Sequence, residues 1–155
     1  MSVTDAELLE KWRIASDSEA FHELVSRHGG MVRRTCARIL RDPGAADDIT
    51  QECFIKLWQV KQVRSGSLGG LLHTLATHLS LNRLRAESRR REREIDYATE
   101  GAHADTEQWA EVLPFVDEAI ADLPEKLRYP IIMHFLEGQA YAAIAQSLTV
   151  DESTV

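Results

Sequence analysis

Apolar side chains return every three or four residues along most of this chain, and this spacing constrains the fold more than any other feature. In the best-defined stretch the residues involved are Phe21, Leu24, Val25, Met31, Val32, Cys36, Ile39 and Leu40. Such a period matches one face of an α-helix, whereas the strict alternation typical of strands is weak everywhere. The sequence therefore predicts an all-α fold class.

Polar motifs divide this pattern into separate helices near the beginning of the chain. Ser16 and Glu19 have the spacing of a capping box, which predicts a long helix from about residue 18 to residue 41. Asp42-Pro43-Gly44 then ends that helix and begins a second one, because aspartate favours the N-cap and proline favours the first helical position. We expect the second helix to run to about residue 62.

A glycine-rich segment separates the second helix from a third. Ser65-Gly66-Ser67 and Gly69-Gly70 are unfavourable inside a helix, so this segment is predicted to form a loop. The leucines that follow are spaced for a long helix that continues into a cluster of arginines. They are Leu71, Leu72, Leu75, Leu79 and Leu84.

The remainder of the chain shows a second, shorter set of helices. Residues 94–108 have no helical period and are rich in acidic and small polar side chains, as a flexible connection would be. The apolar spacing resumes at Trp109, Pro124 opens a helix that Glu137-Gly138 closes, and a short helix, a turn and the start of one more follow. The pattern predicts two small helical domains, residues 1–93 and 110–155, joined by an acidic linker at 94–109.

The distribution of charge is more informative than its total. The formal net charge of −7 argues against nucleic acid as a partner, because binding phosphates needs positive potential. Between residues 83 and 93, however, six arginines stand against two glutamates, whereas residues 94–125 hold ten acids and no lysine or arginine. We interpret the arginines as a DNA-facing surface beside a self-screening linker. The alternative is a solubilising helix end that complements the helix dipole.

Several function classes find no support in the sequence. No apolar run approaches the roughly 20 residues of a membrane helix, and the acidic start does not resemble a signal peptide, so we expect a cytoplasmic protein without a membrane partner. Cys36 and Cys53 fall on apolar helix faces, where thiols usually act as small hydrophobes. His73 and His78 are five residues apart, a spacing that does not align two metal ligands. We expect no enzyme activity, metal, cofactor or small-molecule substrate.

The last part of the chain has the outline of a helix-turn-helix, in which a second helix enters the major groove. Its distinctive residues are Leu123-Pro124-Glu125-Lys126-Leu127-Arg128, Glu137-Gly138, Tyr141, Ile144-Ala145, Leu148 and Ser153-Thr154-Val155. Together they closely resemble region four of extracytoplasmic-function sigma factors. The resemblance implies a domain of the kind that reads the minus-thirty-five promoter element.

The first part of the chain resembles region two of the same family. The matching positions are Ala20-Phe21, Leu24, Arg27-His28, Asp42-Pro43, Ala46, Asp47-Asp48, Gln51-Glu52, Phe54, Leu57-Trp58 and the leucine-rich helix that ends in Arg85 and Arg89 to Arg91. The two resemblances follow the family's order and spacing, and apart from the linker they cover about residues 16–155. They imply a bacterial sigma factor that directs core RNA polymerase to promoters for transcription initiation.

The resemblance also implies which residues bind each partner. The helix from Asp47 to Trp58 would dock on the large polymerase subunit, the loop and third helix would read and open the minus-ten element, and an anti-sigma factor is a further expected partner. The expected polymerase-binding residues are Asp47, Asp48, Gln51, Glu52, Phe54, Leu57 and Trp58. The expected DNA-binding residues are Ser67, Leu68, His78, Asn82, Arg83, Arg85, Arg89, Arg90, Arg91, Ser153 and Thr154.

The residue types fit these roles on physical grounds. Acids and an amide beside Phe54 and Trp58 suit an interface with an aromatic anchor and a polar rim. The alternative is a solvated acidic face above a core tryptophan. Arginine suits phosphate because its planar fork donates paired hydrogen bonds.

Departures from the family pattern keep a second interpretation open. Leu68 and Leu71 stand where family members commonly have aromatics, and leucine cannot stack on a flipped base. Thr149 replaces the glycine usual in the turn, and the sequence stops at Val155, one turn into the expected recognition helix, so we expect this chain alone not to read the minus-thirty-five element. The alternative is a sigma-like module that binds polymerase or an anti-sigma partner without opening promoters. A simple helix-turn-helix repressor would leave the region-two match unexplained.

Overall fold

The computed structural model describes residues 3–60, 67–95 and 108–155, and within these ranges the chain forms seven α-helices and no strand. The all-α prediction is confirmed. The helices are α1 (Asp5–Ala15), α2 (Ser18–Leu40), α3 (Pro43–Gln59), α4 (Leu68–Ile95), α5 (Gln108–Asp122), α6 (Glu125–Ile131) and α7 (Tyr141–Leu148). We call the part up to residue 95 the first half and the part from residue 108 the second half. Most of the predicted linker lies outside the described residues, and the domain boundaries stay a prediction.

The first helix, α1, was not predicted from the apolar spacing. It begins with a capping box in which the Thr4 hydroxyl accepts from the Glu7 N–H and the Glu7 carboxylate accepts from the Thr4 N–H. The predicted capping box at Ser16 is absent, because Ser16 ends α1 in the left-handed conformation. Asp17 caps α2 instead, and its carboxylate accepts from the N–H groups of Glu19 and Ala20 at 2.9 and 3.2 Å.

The starts of α3 and α4 depend on side-chain caps. The Asp42 carboxylate accepts from the N–H groups of the first turn of α3, and Pro43 takes the first helical position, as predicted. In α4 the prediction of a loop through Gly69-Gly70 is wrong, because the helix already begins at Leu68. The Ser67 hydroxyl accepts from the Gly70 N–H at 3.0 Å and caps this turn, which offsets the low helix propensity of the glycines.

Helix α6 continues directly into a π-helical turn before the helical segment ends. Pro130 has no N–H to donate inside the helix, and residues 132–136 then form a π turn. The Glu137 N–H donates to the carbonyl oxygen of Ile132, five residues back, at 3.0 Å. Gly138 follows with a φ of 66° and stops the helix at the predicted place.

One buried apolar cluster extends through both halves. It includes Leu24 and Leu57 from the first half and Ile120, Ile132 and Ile144 from the second. Helix α5 packs on α2 and α4, and α6 packs on α4. The two halves are therefore in contact across a shared core, which the sequence pattern did not indicate.

Candidate functional site

The side of α3 that faces away from the core carries several of the residues expected to bind polymerase. Asp48 and Gln51 are exposed, and Trp58 keeps 45% of its surface exposed. Ile55, three residues before Trp58, is 62% exposed although it is apolar. We call these four residues the outer face of α3. The sequence interpretation missed Ile55, whose position off the buried apolar stripe was the signal that could have identified it.

Trp58 is held in place by aromatic packing. Its ring meets Trp12 of α1 edge to face, with centroids 5.0 Å apart, and Trp12 in turn lies 4.7 Å from Phe21. Phe21 packs edge to face against Phe54 at 6.1 Å. The Arg13 guanidinium also donates to the Leu57 carbonyl oxygen at 3.2 Å. Helix α1 thus fixes the end of α3 and presents Trp58 as an ordered, half-exposed ring.

Two of the expected acids on α3 are paired within the chain. Asp47 accepts from Arg33 of α2 at 2.6 Å, and Glu52 lies 3.7 Å from Lys56 one turn later. All four side chains are substantially exposed, so these pairs are open to exchange with a partner.

Phe54 and Leu57, which the resemblance assigns to polymerase binding, point into the core. They are 4% and 0% exposed. Buried side chains cannot touch a partner while the fold is intact. We therefore expect these two residues to position α3 rather than to form contacts.

The beginning of α4, where DNA contacts are expected, is covered by α6. Leu68 is 4% exposed, and Ser67 is half-buried. A Cβ atom placed on Gly69 would lie 2.9 Å from the Tyr129 ring, which shows how closely α6 approaches. Only glycine permits this distance without displacement of the tyrosine.

The far end of α4 carries the arginine cluster on an exposed surface. Arg83 pairs with Glu87 at 2.8 Å and Arg90 pairs with Glu94 at 3.0 Å, both one turn apart. Within the described residues, the side chains of Arg89 and Arg91 form no ion pair. His78 and Asn82 are exposed on the same helix. This end of α4 is thus an accessible cationic surface.

Three acids of the second half reach arginines of the first half. Asp117 accepts from Arg38 at 3.0 Å, Glu118 accepts from Arg85 at 3.1 Å, and Glu137 pairs with Arg34. Asp117 also lies 2.9 Å from Nε2 of His73, and both of these side chains are buried. The partners are distant in sequence, so none of these ion pairs could be read from residue spacing.

Burial by itself would raise the pKa of Asp117, but hydrogen bonds from His73 and Arg38 outweigh it and hold that pKa below its ordinary value. The carboxylate is therefore ionised near neutral pH. Since a carboxylate only accepts hydrogen bonds, Nε2 of His73 carries the hydrogen.

The expected helix-turn-helix residues lie at the end of the second half. Thr149 ends α7 with a φ of 58°, in the left-handed region, and Ala140 provides no side-chain cap at its start. Ser153 and Thr154 are exposed on a single 3-10 turn, Glu152–Thr154.

No side-chain arrangement in the described part of the chain indicates a bound metal. Groups of three or more His, Cys, Asp or Glu side chains that could hold an ion do not occur among the described residues. No helix in those same ranges is both long and apolar enough to span a bilayer.

Two family models match this chain in sequence. The model for sigma-70 region 2 matches residues 24–90, and the model for sigma-70 region 4 matches residues 116–155. The first match contains α3 and most of α4, and the second contains α6 and α7. The matches thus fall on the same two parts of the chain as the sequence resemblance.

Curated relatives extend the likeness over nearly the whole chain. The chain is 26% identical to the extracytoplasmic-function sigma factor SigK of Mycobacterium sp. strain KMS, over 98% of this chain and 83% of that protein. It is 24% identical to SigK of Mycobacterium tuberculosis, over 98% of this chain and 86% of the relative. It is 28% identical to SigE of Mycolicibacterium smegmatis, over 88% of this chain and 56% of that longer protein.

Proposed function

Because the chain belongs to the sigma-70 family and is an extracytoplasmic-function sigma factor that directs RNA polymerase to promoters, we propose that the outer face of α3 binds polymerase and α4 binds promoter DNA. Sigma factors as a class regulate transcription and are not enzymes.

The observation that carries the polymerase assignment is the half-exposed Trp58. A tryptophan that is already ordered loses little conformational freedom when a partner covers it, and such anchors dominate binding energy at protein interfaces. Ile55 adds apolar area beside the ring, while Asp48 and Gln51 supply a polar rim. This composition fits an interface better than a solvated surface.

The polymerase assignment is tested by substitutions on the outer face of α3. We expect Trp58→Ala to weaken binding to purified core polymerase by about 30-fold, the equivalent of about 2 kcal/mol. Asp48→Arg should weaken binding as well, because it reverses a charge on the polar rim. Phe135→Ala removes an exposed aromatic, and Asp122→Arg reverses an exposed charge, both outside α3, so they serve as matched controls.

Binding is measured by fluorescence anisotropy with labelled protein, and circular dichroism checks that helical content is retained. Wild-type affinity in both α3 variants would refute the assignment. Run-off transcription with core polymerase on genomic fragments upstream of the protein's own gene then tests promoter-directed initiation itself.

For the DNA assignment, the support is the exposed cationic end of α4. Arg89 and Arg91 are exposed and form no ion pair among the described residues, so their guanidinium groups are available to phosphates without giving up an existing partner. Arg83 and Arg90 can exchange a glutamate for a phosphate, since exposed pairs contribute little. Contacts of this kind give affinity and register rather than sequence choice.

The DNA assignment predicts a change in salt dependence. Replacing Arg89 and Arg91 with alanine should flatten the slope of log affinity against log salt by roughly 0.7 to 0.9 for each phosphate that is no longer neutralised. The probe is a labelled fragment of a promoter on which the protein supports run-off transcription. Lys126→Ala removes an exposed positive charge from the second half and is the control. If the slope of log affinity against log salt is unchanged in the double variant, the arginine cluster is a solvated helix end and does not contact phosphates.

We also propose an anti-sigma partner that covers the exposed apolar face of α5. Val112, Phe115 and Val116 are 45%, 66% and 41% exposed on that helix. Neighbouring apolar side chains exposed on one helix are typical of a protein interface. Phe115→Asp should abolish inhibition of run-off transcription by a purified anti-sigma factor without changing transcription in its absence. Inhibition equal to that of the wild-type protein would contradict this proposal.

A further inference from the structure

The end of helix α1 contacts the turn of α3 that carries Trp58. Trp12 meets the Trp58 ring edge to face, and the adjacent residue, Arg13, donates to the Leu57 carbonyl oxygen. That oxygen also accepts from the Val60 N–H at 3.2 Å, so it belongs to the final turn of α3. Two consecutive residues of α1 thus hold both the ring and the backbone of this turn.

The final turn of a helix is the part that most needs such contacts. Its carbonyl groups have no partner within the helix, and helices open from their ends. A guanidinium at this position satisfies a carbonyl group and complements the negative end of the helix dipole. Since Trp58 is the second-last residue of α3, the order of its ring depends on whether this turn stays closed.

Helix α1 is itself anchored at its beginning, so its end can act as a support. Asp5 accepts from Arg27 at 3.0 Å and lies 2.7 Å from Nε2 of His28, and both partners belong to α2. Leu8 and Leu9 are buried in the apolar cluster. Contacts with α2 and the core therefore hold the beginning of α1 in place, and the position of its last turn follows from them.

We propose that Trp12 is a positioning residue for polymerase binding, which holds the half-exposed Trp58 ring in the orientation that polymerase covers. Arg13 supports the same ring through the backbone of its turn. The inference rests on the proposed function of the outer face of α3. It extends that function to α1, which precedes the sigma-70 region 2 match at residues 24–90. Trp12 acts through Trp58 and does not itself contact polymerase.

The size of the effect follows from the order of the ring before binding. A side chain that becomes immobilised only when the complex forms weakens affinity by roughly 2- to 10-fold. We therefore expect Trp12→Ala to bind purified core polymerase about 5-fold more weakly than the wild-type chain does. Trp12→Phe keeps an aromatic ring beside Trp58 and should bind within about 2-fold of the wild-type chain.

Thr4→Ala is the matched control for lost stability of α1. It removes the helix cap about 12 Å along the helix from Trp12, because eight residues rise about 1.5 Å each. This variant should bind polymerase within about 2-fold of the wild-type chain. Urea unfolding identifies a temperature at which every variant is folded, so that unfolded protein does not contribute to a loss of affinity.

A double-mutant cycle tests whether Trp12 acts through Trp58. If it does, Trp12→Ala has no ring to release once Trp58 is alanine, so the double variant should bind within about 2-fold of the Trp58→Ala protein. A direct contact between Trp12 and polymerase would instead cause the same loss with and without Trp58. That result, or wild-type affinity of the Trp12→Ala protein, would overturn the proposal.

Fluorescence measures the order of the Trp58 ring in the absence of polymerase. The chain has three tryptophans, Trp12, Trp58 and Trp109, so replacing the other two leaves the emission of Trp58 alone. In a Trp109→Phe background, Trp12→Ala should show lower emission anisotropy and stronger quenching by acrylamide than Trp12→Phe. Equal anisotropy and quenching in the two proteins would show that Trp12 does not hold the ring, and the proposal would be wrong.

A second substitution decides the question if Trp12→Ala prevents folding. Trp12→Leu keeps apolar bulk at this position without an aromatic ring. It should bind core polymerase at least about 3-fold more weakly than Trp12→Phe, because the Trp58 ring is again ordered only on binding. Equal affinity of the leucine and phenylalanine variants would contradict the positioning role.

Failure of this inference and failure of the polymerase assignment have different signatures. If Trp58→Ala binds polymerase as the wild-type chain does, the outer face of α3 is not the polymerase site, and positioning by Trp12 fails with it. If Trp58→Ala weakens binding while Trp12→Ala has no effect, the assignment of α3 stands and the positioning role alone is wrong.

Discussion

Replacing Asp117 with asparagine should lower the free energy of unfolding by about 3 kcal/mol, the lower end of the range for breaking a buried ion pair. The Asp117 side chain is 1% exposed and His73 is 0% exposed, so asparagine would leave a buried ring and a guanidinium without their anion. We take the lower end because Arg38 keeps 22% of its surface in contact with water. Urea unfolding followed by circular dichroism measures the decrease.

The effect should depend on pH in a defined direction. The pKa of Asp117 lies below its ordinary value of 3.8 in the folded protein, so the charged carboxylate contributes its full stabilisation well above that ordinary value, at neutral pH. This contribution is lost as the pH falls from about 5 through the lowered pKa, because protons then bind the unfolded chain more readily. The wild-type protein should therefore lose stability in this range more steeply than the Asp117→Asn protein.

The exposed Asp122→Asn control should change stability by no more than about 0.5 kcal/mol and keep the wild-type pH dependence. If the wild-type and Asp117→Asn proteins instead respond to pH alike, the carboxylate is not held by Arg38 and His73 as described. An Asp117→Asn protein as stable as the wild type would lead to the same conclusion.

Three further substitutions test local features of the fold by the same urea unfolding. Thr149→Gly should raise stability by about 1 kcal/mol, because it relieves a β-branched residue in the left-handed region, and a decrease would show that Thr149 is not strained. Phe54→Ala should lower stability by about 3–5 kcal/mol and weaken polymerase binding indirectly, and intact stability would contradict its burial. Thr4→Ala should lower stability by about 1 kcal/mol because the α1 cap is removed, and no change would mean that the capping box contributes nothing.

The sequence predicted those helices whose apolar faces are long and regular. The α2 helix was expected from about residue 18 to residue 41 and spans Ser18–Leu40, and the Asp42-Pro43 start of α3 was found in place. The short helix α1 was missed because it buries mainly Leu8 and Leu9 and its remaining surface is polar. The low helix propensity of Gly69-Gly70 led to the wrong prediction of a loop. Gly69 lies inside α4 because the Tyr129 ring, from a helix far away in sequence, leaves no room for a larger residue, and helix propensity cannot show such a contact.

The candidate site was predictable in composition but not in arrangement. Family resemblance pointed to α3 and to the arginines of α4, and the exposed residues of both helices are consistent with that assignment, which stays a proposal. The resemblance named Phe54, which is buried, and not the next residue, Ile55, which is exposed. Consecutive residues of a helix point about 100° apart, so a shift of one position exchanges a buried side chain for an exposed one. The pairing of Asp117 with Arg38 could not be predicted from the sequence, because ion pairs between helices far apart in sequence depend on tertiary packing rather than on residue spacing.

The π turn at residues 132–136 affects how positions in this chain are matched to those of its relatives. Such a turn holds one residue more than an α-helical turn, and one residue corresponds to a rotation of about 100° around a helix axis. A relative with an uninterrupted α-helix at this point would match the chain with an offset of one residue. An ungapped comparison would then equate core positions of one protein with surface positions of the other. Roles carried over to residues beyond Leu136, including Ser153 and Thr154, depend on that offset.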